Sequence, residues 1–170
     1  MPSDKDILNS ARNTLLIESK SIEQLIPQIN QDFVDAVRKI LASNGRLVVT
    51  GIGKSAIIAQ KIVATFNSTG TPALFMHAAD AIHGDLGMIL RGDIVMCISN
   101  SGNTPEIRAL LPLLKGAENT VIGLTGNSNS VLAKASNHLL QAAVEREACP
   151  NNLAPTTSTT AQLALGDALA

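Results

Sequence analysis

Residues 47–56, LVVTGIGKSA, decide how this chain is read. An apolar, β-branched run ends at Thr50 and empties into Gly51-Ile52-Gly53-Lys54-Ser55, a turn that offers bare backbone, a cation and a hydroxyl together. A short apolar run closed by glycine has the character of a strand buried on both faces. Apolar spacing then turns helical as far as Phe66. The unit is strand, glycine turn, helix, and the chain repeats it.

Downstream, strand-like runs at 73–76, 93–98, 120–124 and 138–140 alternate with helical stretches, one of them ending at Lys115, and a last helix is expected over 160–170. Such alternation predicts an α/β fold: a parallel sheet with helices on both faces, whose ligand sits beyond the carboxyl ends of the strands. Upstream, Ser3 with Asp6 three residues on reads as a helix start. Leu8, Ala11, Leu15, Ile22, Leu25, Ile26 and Ile29 then form one or two amphipathic N-terminal helices. A further helix through Phe33, Val37, Ile40 and Leu41 is expected to stop at Asn44-Gly45.

At 170 residues and 45% hydrophobic content the chain supports one sizeable core, so a single domain over 1–170 is expected. The net charge of −1 leaves no basic stripe for nucleic acid. Aromatics are 2% of the chain, all Phe, so bases find no stacking platform. No apolar run approaches the ~20 residues a membrane helix needs. Cys97 and Cys149 form no disulfide framework, and with no targeting core at the N-terminus a soluble cytoplasmic protein is expected.

The first turn is not a triphosphate loop, because the glycine required five residues before Gly53 is Val48. Gly51-Ile52-Gly53-Lys54-Ser55-Ala56 does satisfy a dinucleotide fingerprint. The second strand, however, ends Leu74-Phe75-Met76-His77 without the acid that would hold a ribose. A second strand-to-helix turn, SNSGNTPEI at 99–107, is dense in hydroxyls. Thr104-Pro105-Glu106 opens a helix as an N-cap hydroxyl, a proline and a first-turn acid. Capping accounts for Thr104 but not for Ser99 and Ser101. The favoured reading is an anion site of backbone amides, Ser99, Ser101 and Thr104, completed by Lys54 and Ser55 into a monophosphate pocket.

The segments GIGKSA, ATFNSTGTP, HGDLGM, ISNSGNTPEI, EACPNNLAPTTSTT and GDALA together resemble the sugar isomerase (SIS) domain of D-arabinose-5-phosphate isomerases over nearly the whole chain. The resemblance implies a five-stranded parallel sheet between helices, flavodoxin-like, assembled as homotetramers. It implies interconversion of D-ribulose 5-phosphate and D-arabinose 5-phosphate through an enediol, for synthesis of the lipopolysaccharide and capsule sugar Kdo, with no cofactor. By the same resemblance Lys54, Glu106 and Glu147 are catalytic, and Gly53, Ser55, Gly70, Thr71, His77, Ser99, Asn100, Ser101 and Thr104 bind substrate. It further implies that His77 captures zinc as an inhibitor. Family members continue past GDALA to a His-Pro-Gly-Gly segment and a pair of CBS domains, which this chain does not contain.

Enediol chemistry needs a base, an acid for the two oxygens and a stabiliser for the oxyanion. Lys54 suits the last role. Glu147 is the preferred proton-transfer carboxylate, and Glu106 is either a second one or simply a helix-favouring first-turn acid. His83, whose ordinary pKa lies near neutrality, is assigned to proton shuttling at the sugar oxygens. Thr156, Thr157, Ser158 and Thr159 are read as caps of the last helix. Kdo or its nucleotide conjugate is expected to compete for the pocket. The alternatives are a non-catalytic sugar-phosphate-binding regulatory module and, further behind, a dinucleotide oxidoreductase.

Overall fold

The computed structural model describes residues 1–170. Five parallel strands form one sheet: β1 (Leu47–Gly51), β2 (Ala73–His77), β3 (Ile94–Ile98), β4 (Thr120–Thr125) and β5 (His138–Gln141), in the order β2-β1-β3-β4-β5. Gly51 pairs with both His77 and Ile98, so the carboxyl ends of the three neighbouring strands lie level. The helices are α1 (Asp4–Glu23), α2 (Gln31–Leu41), α3 (Lys54–Thr69), α4 (Ala78–Ala81), α5 (Pro105–Gly116), α6 (Val131–Ala135) and α7 (Thr157–Leu169). The expected five-stranded α/β fold with N-terminal helices is the one observed.

Alternate strand residues divide between two cores. Leu47, Val49, Ile94, Met96, Ile98, Ile122 and Leu124 pack under α2, α3 and α7 with Ile40, Ile62, Phe66, Ala161 and Leu165. Val48, Val95, Cys97 and Val121 pack on the other face against α4, α5 and α6 with Ala81, Ile107, Leu110, Leu114 and Leu132. Burial pushes the Cys97 thiol up to about 12, so this cysteine behaves as a small core hydrophobe.

The connections from β1 and β3 therefore leave to opposite faces. Two adjacent strands whose chains part in this way open a crevice at their carboxyl ends. There, Gly53 enters α3 at φ 58°, a left-handed-side conformation that a Cβ would strain.

Three local expectations change. The last helix begins at Thr157, three residues before the expected start. The helix before β1 ends at Leu41 rather than at Asn44-Gly45. Gly45 is instead required by close approach, since a Cβ there would lie 2.4 Å from the Gly92 carbonyl oxygen. Finally, α1 has the expected capping box between Ser3 and Asp6, yet its apolar stripe is not core. Leu8, Leu15 and Ile22 of α1, and Ile26 and Ile29 just beyond it, stay exposed because α2, α3 and α7 already cover that face of the sheet, and of the expected stripe Leu25 reaches the core.

Candidate active site

A cavity of about 340 Å³ opens at the split between β1 and β3. Three segments line it: Ile52, Lys54 and Ser55 from the β1 turn; Ile98 through Ser101 and Thr104 from the β3 turn; and Pro155, Ser158, Thr159 and Gln162 from the start of α7. The N-termini of α3, α5 and α7, helices of 16, 12 and 13 residues, thus face one space. Each brings roughly half a positive charge as a helix dipole. Lys54 is the one lining side chain that carries a full charge. Small anions are what such a cavity attracts.

The β3 turn is shaped for this. Ser99 Oγ and Thr104 Oγ1 share a hydrogen bond of 2.6 Å. Thr104 occupies the N-cap position, but its hydroxyl caps no amide. The Glu106 and Ile107 amides consequently have no acceptor within the chain. The expected capping by the Thr104 hydroxyl is thus replaced by a hydroxyl pair beside free helix amides. Gly102 closes the turn at φ 62°, and a Cβ there would lie 2.1 Å from Ser130 Oγ. The loop carrying Ser99–Thr104 is seated on Ser130 and Thr125.

Of the residues expected at the site, Lys54, Ser55, Ser99, Asn100, Ser101 and Thr104 line this one cavity, and Gly53 precedes Lys54 as the α3 cap. Glu147 borders a neighbouring recess that shares Asn100 and Pro155 with it. Its Oε2 accepts from the Thr156 amide at 2.8 Å, the Ser158 amide at 3.1 Å and the Thr156 hydroxyl at 3.3 Å. Burial alone would raise the Glu147 pKa. The donors of Ser158 and Thr156 outweigh it and hold the carboxyl below its ordinary value. Glu147 rather than Thr156 caps α7, and Thr156 Oγ1 turns back to accept from the Ala148 amide at 3.0 Å. As an anion stabilised in this way, Glu147 is a weaker base than the sequence reading required.

The remaining expected residues lie elsewhere in a single chain. Glu106, half-buried in the first turn of α5, is not part of the lining. Gly70 and Thr71 lie away from this cavity in a single chain. They follow the carboxyl end of α3, a 16-residue helix that starts at the cavity and runs back to the opposite edge of the sheet, about 24 Å away. There Gly70 is the left-handed C-cap. His83 is exposed beyond α4 and outside the cavity. His77 ends β2, with Nδ1 3.8 Å from Asp80 Oδ2. No three His, Cys, Asp or Glu side chains come together within the single chain. Gln162 is the lining residue that sequence reasoning missed. Placing the start of α7 three residues late hid its spacing from Ser158.

Comparison with known proteins agrees with this geometry. The arabinose 5-phosphate isomerase KdsD of Pseudomonas aeruginosa is 51% identical over 170 residues, an alignment covering 100% of this chain and 52% of that protein. The arabinose 5-phosphate isomerase GutQ of Escherichia coli K12 is 46% identical over 164 residues, covering 96% of this chain and 51% of that protein. The chain spans about half the length of the curated relatives it matches. An E. coli CFT073 protein solved in complex with arabinose 5-phosphate superposes with a TM-score of 0.94 at 39% identity, covering 99% of this chain and 89% of that one. A family model described as SIS domain matches residues 40–170, from the end of α2 through every strand and the whole cavity, and the chain belongs to that family.

Proposed function

We propose that this chain is the sugar-binding and catalytic module of an aldose–ketose isomerase that interconverts D-ribulose 5-phosphate and D-arabinose 5-phosphate. The observation that carries this is the cavity itself: three helix N-termini, a hydroxyl-lined turn with two free amides, and Lys54. The names of the relatives about half identical to this chain, and the arabinose 5-phosphate complex of a close structural neighbour, support the choice of pentose.

In this reading the phosphate rests on the β3 turn, where Ser99, Ser101, Thr104 and the Glu106 and Ile107 amides donate to it. That anchoring holds the carbon chain in register with the proton-transfer groups. Lys54 stabilises the charge that builds on the carbonyl oxygen as the enediol forms. Proton transfer between the two carbons falls to a carboxylate, Glu147 from the adjoining recess or Glu106 beside the anion seat. His83 lies outside its own chain's cavity, so its shuttling role requires a neighbouring copy. The unpartnered apolar residues of α1 supply a surface for a homotetramer that would bring one. Mixing K54A and H83A chains should then restore activity that neither has alone.

The reaction is a cytoplasmic one, since phosphorylated sugars are held inside cells, and its product feeds Kdo for lipopolysaccharide or capsule. Kdo and its nucleotide conjugate, both anionic, compete for the same cavity.

A second reading, a sugar-phosphate-binding regulatory module, is favoured by one observation: no carboxylate or imidazole lines the cavity of a single chain. Incubation with D-ribulose 5-phosphate separates the two. Formation of D-arabinose 5-phosphate establishes the isomerase, whereas saturable binding without interconversion establishes the regulatory module.

A further inference from the structure

Gln162 reaches the cavity from α7 and is only 1% exposed. Its Oε1 accepts a hydrogen bond from the Ser55 hydroxyl at 3.2 Å. That bond fixes the sense of the carboxamide: oxygen toward α3, and Nε2 left as a donor without a partner. One helical turn earlier Ser158 shares the same face of α7 and is likewise 1% exposed; its hydroxyl makes no hydrogen bond of good geometry, although it lies close enough to the Glu147 carboxylate to help lower that group's pKa. Buried polar atoms in native proteins are nearly always satisfied. Four buried side-chain atoms in this chain are not, and the two outside the cavity lining, on Thr50 and His77, alternate to opposite faces of the neighbouring strands β1 and β2. The other two sit side by side in the lining of the one space that holds Lys54.

The chemistry of these two groups differs from that of the β3 turn. A carboxamide donor is neutral and contributes little to neutralising a dianion, but it matches a hydroxyl or carbonyl oxygen well. In the reading above, the hydroxyls and free amides of the β3 turn already provide for the phosphate. An acceptor presented to Gln162 and Ser158 would therefore be an oxygen of the carbon chain.

We propose that Gln162 is a specificity-determining residue that touches the substrate: its Nε2 donates to an oxygen of the sugar chain and not to the phosphate, with the Ser158 hydroxyl serving an adjacent oxygen. Ser55 positions it by holding Oε1. This rests on the sugar-phosphate reading given above, and it adds the wall of the pocket that distinguishes a phosphorylated sugar from phosphate alone.

Calorimetric titration of the full chain with inorganic phosphate and with D-arabinose 5-phosphate tests it, using the native chain, Gln162→Leu and Ser158→Ala. In Gln162→Leu, affinity for the sugar phosphate should fall about tenfold or more while affinity for phosphate stays within about twofold. Ser158→Ala, which deletes a single oxygen and leaves the helix intact, should show the same selective loss at roughly three- to tenfold. An undiminished preference for the sugar phosphate in both variants overturns the proposal. So does an equal loss for both ligands, which would place Gln162 at the anion seat through Ser55. A native chain that binds phosphate and gains nothing from the sugar overturns the functional reading itself, and that result is visible before any substitution is made.

Discussion

The two ends of the sheet are built on opposite principles. At the amino edge, Asp93 is 2% exposed and every acceptor is used: the Arg46 amide at 2.8 Å, Arg46 Nε at 3.3 Å and Nη2 at 2.7 Å, and the Leu90 amide at 2.9 Å. Asn119 donates to the Asp93 carbonyl at 3.0 Å, and Gly45 packs on the Gly92 backbone. Burial opposes ionisation of Asp93, but the hydrogen bonds from Arg46 and Leu90 prevail and hold its pKa below the ordinary value. At the carboxyl edge the Glu106 and Ile107 amides and Gln162 Nε2 have nothing to bond, and Ser158 Oγ makes no hydrogen bond of good geometry. A closed polar network secures the fold, and an open one leaves donors free to meet a ligand.

Substitutions at the two edges should therefore separate stability from function. The largest effect is expected for K54A, which should lower kcat about 10³-fold with unfolding free energy changed by less than about 0.5 kcal/mol, because Lys54 is exposed and bonds to nothing in the free chain. Steady-state kinetics beside chemical denaturation would check both halves. D93A is the mirror image. It should cost about 3 kcal/mol in denaturant unfolding, at the lower end for a broken buried ion pair because Arg46 is 35% exposed, and leave phosphate affinity unchanged.

G102A should fall on both sides of the division. The added Cβ meets Ser130 and the backbone is held at φ 62°, so about 2 kcal/mol of stability and roughly tenfold in phosphate affinity should go together, read by denaturation and calorimetry.

The smallest effect concerns pH. The depressed pKa of Glu147 means that its capping contribution is complete above the ordinary carboxyl value of about 4.5 and is lost as pH falls through its lower folded value. E147Q should cost about 1 kcal/mol at neutral pH and flatten that part of the acid limb in thermal unfolding followed from pH 6 to pH 3. An unchanged acid limb would remove Glu147 from its place at the start of α7.

Period and punctuation made the sheet legible. Strand runs such as residues 46–50, closed by glycine, announced β1 to within a residue, and the hydroxyls of SNSGNTPEI announced one wall of the cavity. What stayed hidden depends on where the chain returns. Glu147 meets Thr156 only because the intervening loop folds back, and no spacing rule encodes that contact. Gln162 needed the true start of α7 before its alignment with Ser158 could be seen. Gly70 and Thr71 entered the reading through resemblance alone, and within one chain topology sends the end of a helix that begins at a strand's carboxyl edge back to the amino edge. The exposed stripe of α1 had the period of a core helix, since periodicity reports that a face is apolar and not what covers it.

The comparison of the two edges supplies its own most direct test. The amino edge also has an open recess, about 590 Å³, with Lys39, Arg46 and Arg91 around it, and net charge alone would send an anion there. A crystal structure of the chain with D-arabinose 5-phosphate should instead show the phosphorus within hydrogen-bonding reach of Ser99, Ser101, Thr104 and the Glu106 and Ile107 amides, with the sugar running toward Lys54 and α7. Phosphate density among Lys39, Arg46 and Arg91, with the carboxyl-edge cavity holding only solvent, would contradict the account.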